Sequence, residues 1–137
     1  MTTLAICISA LFASGADDPK FVPDKQGLIP IERNIVNLTN AERARYGLPA
    51  LEVCPNLLRS ARNHAAWMTR NQALQHTSQP VAENIAMGQQ SSREALQSWM
   101  SSPGHRSNIL NPGYRRIGAA AYRTAGGTIF WCQQFLH

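Results

Sequence analysis

The chain has 137 residues, 44% of them hydrophobic and 15% charged, which is enough for one soluble domain with a single core. Its formal net charge is +5, and its basic residues are scattered singly among apolar ones. No basic run with interleaved aromatics occurs, so the composition argues against a nucleic-acid binder and leaves an anionic surface or ligand open.

Met1 to Ala16 reads as a secretory signal peptide. Leu4 to Phe12 is a short apolar stretch, and Ser14-Gly15-Ala16 resembles a small-residue cleavage site. The stretch is too short to span a bilayer, so the protein is expected not to span the membrane. Cleavage would remove Cys7 and leave Cys54 and Cys132, a pair that in an exported chain suggests one disulfide; two buried thiols in a cytosolic protein are the alternative. Asp17 to Pro30 carries three prolines and five charges and reads as a linker, with the folded domain at 31–137.

Ile31, Ile35, Leu38, Ala41 and Ala44 recur at helical spacing, so a first helix is expected over Ile31–Tyr46, stopped by Gly47 and Pro49. A second is expected over Pro55–Ala73, with Leu57, Leu58, Ala61, Ala65 and Met68 on one face. Ser91-Ser92-Arg93-Glu94 is a capping box that starts a third helix, ended by Pro103-Gly104, and His105 to Leu110 fits one more short turn. Arg116–Arg123 and Thr128–Phe135 read as two strands joined by a hairpin at Thr124-Ala125-Gly126-Gly127. Helices followed by strands point to an α+β domain on a small antiparallel sheet. No internal repeat or low-complexity tract is present.

The chemistry concentrates between His76 and Leu110. Here His76-Thr77-Ser78, Ala82-Glu83-Asn84-Ile85-Ala86 and Ser102-Pro103-Gly104-His105-Arg106-Ser107-Asn108 interrupt apolar runs. Polar side chains in such a setting need partners or a purpose. Histidine and carboxylate bind metals and move protons near neutral pH.

These segments, with Asn40-Ala41-Glu42-Arg43, Gly47-Leu48-Pro49-Ala50-Leu51, Trp99, Asn111-Pro112, Tyr114 and Arg116-Ile117-Gly118, resemble the CAP superfamily. That group comprises the cysteine-rich secretory, antigen 5 and pathogenesis-related 1 proteins, also called the SCP domain, and the likeness is greatest to its short bacterial members. The resemblance implies a three-layer α-β-α sandwich with a central antiparallel sheet and a cleft faced by two histidines and two glutamates. His76, Glu83 and His105 match three of the four. Ser102 or a near neighbour stands in place of the second glutamate, and Ala82 in place of a glycine before Glu-Asn.

Two readings of the cluster follow. His76 and His105 would bind a divalent cation such as zinc, with Glu83 as third ligand or orienting a histidine, or the three form a hydrogen-bonded cluster that pins loops to the sheet. A hydrolytic role would use Glu83 as general base. Ser78, Ser101 and Ser102 lie near the histidines, without a nucleophile-elbow motif. Asn84 is expected to satisfy backbone groups, Asn108 to bond the loop around Glu83, and Arg106 to meet carbonyls or an acidic partner such as Glu42. His64 falls on the apolar face of the second helix and reads as a satisfied core or edge histidine. Trp67, Trp99, Trp131 and Phe130 read as core or cleft walls. The combined expectation is a secreted, monomeric, non-enzymatic module whose cleft takes an extracellular ligand: a protein, a cell-wall component or a lipid. A metal-dependent hydrolase acting on peptide or cell-wall bonds and a lipid or sterol carrier are the alternatives.

Overall fold

The structure is a computed structural model that describes residues 24–137. The expected signal peptide, Cys7 and the first part of the expected linker lie outside the described residues. The end of that linker packs on the domain. Asp24 accepts from the backbone of Gln26 and Leu28 and pairs with Arg33 at 2.7 Å. That pairing, first of all, holds the Asp24 carboxyl below its ordinary value. Leu28 is fully buried.

Pro30 takes the first position of α1 (Pro30–Arg45), one residue earlier than expected. The Glu32 carboxylate accepts from the backbone of Ile29 and binds Arg62 through both oxygens at 2.7 Å, joining α1 to the next helix. Gly47, at φ 70°, lets the chain turn off the helix end, where its N–H and that of Leu48 take the carbonyls of Ala44 and Arg43. Next come β1 (Glu52–Val53), α2 (Pro55–Asn71) and β2 (Ala82–Met87). They are followed by α3 (Ser92–Met100), α4 (Pro103–Ile109), β3 (Arg116–Arg123) and β4 (Ile129–Leu136).

Three boundaries differ from the sequence expectation for identifiable reasons. α2 stops at Asn71 rather than Ala73 because Gln72 adopts the left-handed conformation, φ 47° and ψ 44°. Pro103 opens α4 rather than only ending α3, which already finishes at Met100. In the capping box, Ser91 Oγ accepts from the Glu94 N–H, but the Glu94 carboxylate reaches Gln90 N–H, one residue further out.

The four strands form one sheet in the order β1-β3-β4-β2. β3 pairs antiparallel with β4 and β4 with β2, while the two-residue β1 runs parallel to β3. Because strand side chains alternate, the two faces carry different sets. Ile85, Ala120, Phe130 and Cys132 pack with Ala61, Ala65 and Met68 of α2. Ala86, Ile117, Ala119, Trp131 and Phe135 pack with Ile35 and Val36 of α1 and Leu96 and Trp99 of α3. The result is the expected three-layer sandwich. The first turn of α2 rests directly on β3 at Gly118, where a Cβ would lie 2.2 Å from the Leu57 carbonyl carbon.

The expected Cys54–Cys132 disulfide is not formed, and both are free thiols. The register explains this. Cys54 follows Val53, which pairs with Ile117, whereas Cys132 lies on the far side of β3 opposite Ala120. Two strand spacings amount to about 10 Å, beyond the reach of a disulfide. Alkylation in denaturant without reductant is expected to label both Cys54 and Cys132, while the native protein protects the buried Cys132. A Cys54–Cys132 cross-linked peptide under non-reducing conditions would contradict the register.

Candidate functional site

β2 sits at the sheet edge, and its alternation sends Glu83 toward α2 and Asn84 toward α4. Their cross-strand neighbours on β4 are Gln134 and Gln133, both fully buried. Each acidic or amide side chain of β2 therefore meets an amide on its own face of the sheet.

On the α2 face, the Glu83 side chain is 3% exposed. Its Oε1 accepts from His76 Nδ1 and from the Thr77 N–H, both at 2.9 Å. Its Oε2 accepts from Gln134 Nε2 at 2.9 Å and from Cys132 Sγ at 3.5 Å. Burial, then the Glu83 charge, raise the Cys132 thiol well above its ordinary value, so it stays protonated and donates. His64 Nε2 lies 2.6 Å from the Gln75 carbonyl and 3.9 Å from Glu83 Oε1. A carbonyl only accepts, so His64 carries its proton on Nε2. His76 is hydrogen-bonded through Nδ1, which leaves its Nε2 unspent in a ring that is 62% exposed. The half-buried His105 is held below the ordinary imidazole value by burial first and then by the charge of His76. His105 is therefore neutral near pH 7.

On the opposite face, Asn84 is fully buried and fully used. Its Nδ2 donates to the His105 carbonyl at 3.1 Å and to Gln133 Oε1 at 3.0 Å, and its Oδ1 accepts from Asn108 Nδ2 at 2.9 Å. Gln133 continues the chain to Thr39 Oγ1 at 2.6 Å, and Thr39 to the Ile35 carbonyl at 2.7 Å. Asn84 thus locks α4, and with it His105, to the sheet. The outward carbonyls of β2 also find partners. Asn108 Nδ2 reaches that of Glu83 at 3.4 Å and Trp99 Nε1 that of Ile85 at 3.1 Å. This covers an edge that would otherwise invite strand pairing.

Arg43, which is fully buried, donates to the carbonyls of Pro49, Ile109, Asn111 and Tyr114 at 2.8–3.3 Å and so fixes the far end of α4. Arg106 does not meet Glu42, whose carboxylate is held by Arg45 at 3.2 Å. It donates instead to the Tyr46 hydroxyl at 2.8 Å and stacks over that ring.

Of the two roles expected of Glu83, third ligand or orienting partner of a histidine, its bond to His76 Nδ1 corresponds to the second. Glu83 stands behind His76 on Nδ1, in an orienting position, with both oxygens occupied. Among the described residues no group of three or more His, Cys, Asp or Glu side chains is placed to hold a metal ion. Ser102, in place of the second glutamate, is the N-cap of α4, and the Ser101 hydroxyl is spent on the Gln97 carbonyl.

Two hollows flank the cluster. One of about 370 Å³ runs along α2, bordered by Asn56, Arg59, Ser60, Asn63, His64, Trp67, Thr77 and Gln79. The other, about 360 Å³, is bordered by His64, Trp67, Gln75, His76, Thr77 and Ser78. His64 and Trp67, with rings parallel and 5.9 Å apart, border both. Gln133 and Gln134 are the participants that sequence reasoning missed, while His64 is hydrogen-bonded to the Gln75 carbonyl, as expected of a satisfied edge histidine. Only the placement of His64 one helical turn before Trp67 and Met68 hinted that it meets the sheet edge.

This fold and motif set define a CAP domain. The model of the cysteine-rich secretory protein family matches residues 36–135, and the chain belongs to that family. It is similar to the Bacillus subtilis protein YkwD, at 36% identity over 122 residues, 77% of this chain and 46% of that protein. Among solved structures it resembles an extracellular SCP-domain protein of Bacillus anthracis at 29% identity and TM-score 0.69, covering 77% of this chain and 40% of the other. An outer surface protein of Borrelia burgdorferi shares the fold at 18% identity and TM-score 0.69, over 75% of this chain and 89% of the other. The chain thus spans less than half the length of the two Bacillus proteins.

Two outcomes test the site. Replacing Asn84 by alanine strands Gln133, Asn108 and the His105 carbonyl, and urea unfolding is expected to show a loss of about 3 kcal/mol. His105 titrates lower in the folded state than the ordinary value of 6.5, so the unfolded chain takes up the proton first. Its contribution is intact above pH 6.5 and is lost as pH falls through that value toward the folded pKa. In His105→Gln, urea midpoints compared at about pH 7.5 and about pH 5 are expected to fall less than in wild type.

Proposed function

We propose that this chain is an extracytoplasmic recognition module whose cleft, between His76 and His105, receives an extracellular ligand without cleaving it. The observation that carries this reading is the state of Glu83. Its two carboxylate oxygens accept from four groups: His76, Thr77, Gln134 and Cys132. A general base needs a lone pair directed at a water or substrate proton. Here those lone pairs tie the His76–Thr77 loop and β4 to β2, leaving His76 Nε2 and the neutral His105 ring as groups free to meet a ligand. The extracellular SCP-domain relative and the signal-like Met1–Ala16 segment support placement outside the cytoplasm. Among the described residues no helix is long and apolar enough to cross a membrane. Of the eleven residues that border the two hollows, seven carry an amide or a hydroxyl, which gives a polar ligand hydrogen-bonding partners.

The competing reading, a zinc-dependent hydrolase, rests on the same two available imidazoles. Calorimetric titration of zinc into metal-free protein, wild type beside His105→Ala, separates the readings when run with cleavage assays on soluble peptidoglycan fragments and casein. The expected result is no cleavage with or without zinc. One-to-one zinc binding lost in His105→Ala, together with zinc-dependent cleavage lost in Glu83→Gln, would overturn the recognition reading.

A further inference from the structure

The polar wall of α2 follows from helix geometry. Asn56, Arg59, Ser60, Asn63 and Trp67 recur at three- and four-residue intervals, so they form one stripe beside the buried stripe of Leu57, Leu58, Ala61, Ala65 and Met68. Thr77 and Gln79 face that stripe across the hollow, held there because Thr77 N–H is bound to Glu83 and Gln79 N–H to Thr77 Oγ1. The two hollows share His64, Trp67 and Thr77, so they meet at the aromatic pair and make one groove from Asn56 to His76.

The groove's unspent chemistry is specific. Among the described residues, the side chains of Asn56, Arg59, Ser60, Asn63 and Gln79 make no hydrogen bond within the protein, and neither does the Trp67 indole N–H. By contrast, the indoles of Trp99 and Trp131 donate to the carbonyls of Ile85 and Gln89. No carboxylate borders either hollow, and the one permanent charge is that of Arg59. Amides and hydroxyls both donate and accept, and so match a ligand dense in hydroxyl and acetamido groups. An aromatic ring at the centre offers a surface for the C–H face of a sugar ring. The guanidinium suits a carboxylate on such a chain. An extended peptide added as a strand is disfavoured, because the outward carbonyls of Glu83 and Ile85 on β2 are already taken. Each hollow lies within the usual size of small-ligand sites, about 300–1,000 Å³.

We propose that this groove along α2, centred on Trp67, binds an N-acetylated amino-sugar chain that runs across the His64–Trp67 pair toward His76. The proposal rests on the recognition reading and names its ligand class.

The probes are the tetramer of N-acetylglucosamine and, as control, the glucose tetramer of the same linkage. Trp99 and Trp131 are 1% and 0% exposed, so a fluorescence change on binding reports on Trp67. The N-acetylated tetramer is expected to change the emission saturably and to bind at least about tenfold more tightly than the glucose tetramer in calorimetry. Trp67→Phe is expected to abolish the emission change, and Trp67→Ala to weaken binding about tenfold or more. Trp67 also packs against the α2 face of the sheet, so exposed Asn63→Ala is a second variant that leaves the core untouched, with a loss of at least about fivefold expected. Absence of saturable binding by wild type, equal binding of the two tetramers, or unchanged affinity in Asn63→Ala would overturn the proposal. Zinc-dependent cleavage would instead overturn the recognition reading, with the groove remaining as a subsite.

Discussion

A carboxylate withdrawn from water into a sheet edge destabilises its surroundings unless donors meet it in place. Glu83 is such a group, and the arrangement of the site follows from how it is satisfied. Its donors come from two segments: the loop at His76 and Thr77, and β4 through Gln134 and Cys132. Removing any one leaves charge uncompensated. The loop that carries His76 has no secondary structure of its own, yet the backbone bond from Thr77 and the ring bond from His76 tie it to the strand. His64 adds a third tether through the Gln75 carbonyl. The loop in turn forms the outer wall of the groove along α2.

The same strand, one residue later, performs the matching task on the other face. Asn84 bonds α4 through the His105 carbonyl and β4 through Gln133, and Gln133 passes the connection to α1 at Thr39. Consecutive residues of β2 thus place the two histidines from opposite layers of the sandwich. His76 is held by Glu83 from the α2 side, and His105 by Asn84 from the α4 side. This arrangement explains why polar residues sit in the middle of a strand buried on both faces. They carry a positional signal that apolar packing alone would not give.

The sequence made some of this legible. α1 and α2 announced themselves by periodicity, α2 also by a first-turn proline, α3 by its Ser91 cap, and the β3–β4 hairpin by its glycine turn. The resemblance to CAP proteins singled out His76, Glu83 and His105, which spacing alone would not have grouped across 30 residues. What stayed hidden has physical causes. β2 is buried on both faces, so Ala-Glu-Asn-Ile-Ala-Met shows no alternation of apolar and polar residues. The end of α2 depends on a left-handed glutamine that no glycine or proline signals. The free state of Cys54 and Cys132 depends on β3 lying between them, a matter of strand order rather than composition. Nothing in the sequence singles out Gln133 and Gln134, each of which is the buried partner of a β2 side chain.

The account makes Glu83 a structural anchor of the site loop, and hydrogen exchange at the Thr77 amide tests that claim most directly. This amide lies in a loop and is expected to be protected in wild type, because its acceptor is a buried carboxylate. In Glu83→Gln the Thr77 amide is expected to lose protection while the β3 and β4 amides at Ala120 and Cys132 keep theirs. A Thr77 amide that exchanges in the wild type as fast as an unstructured chain would contradict the account.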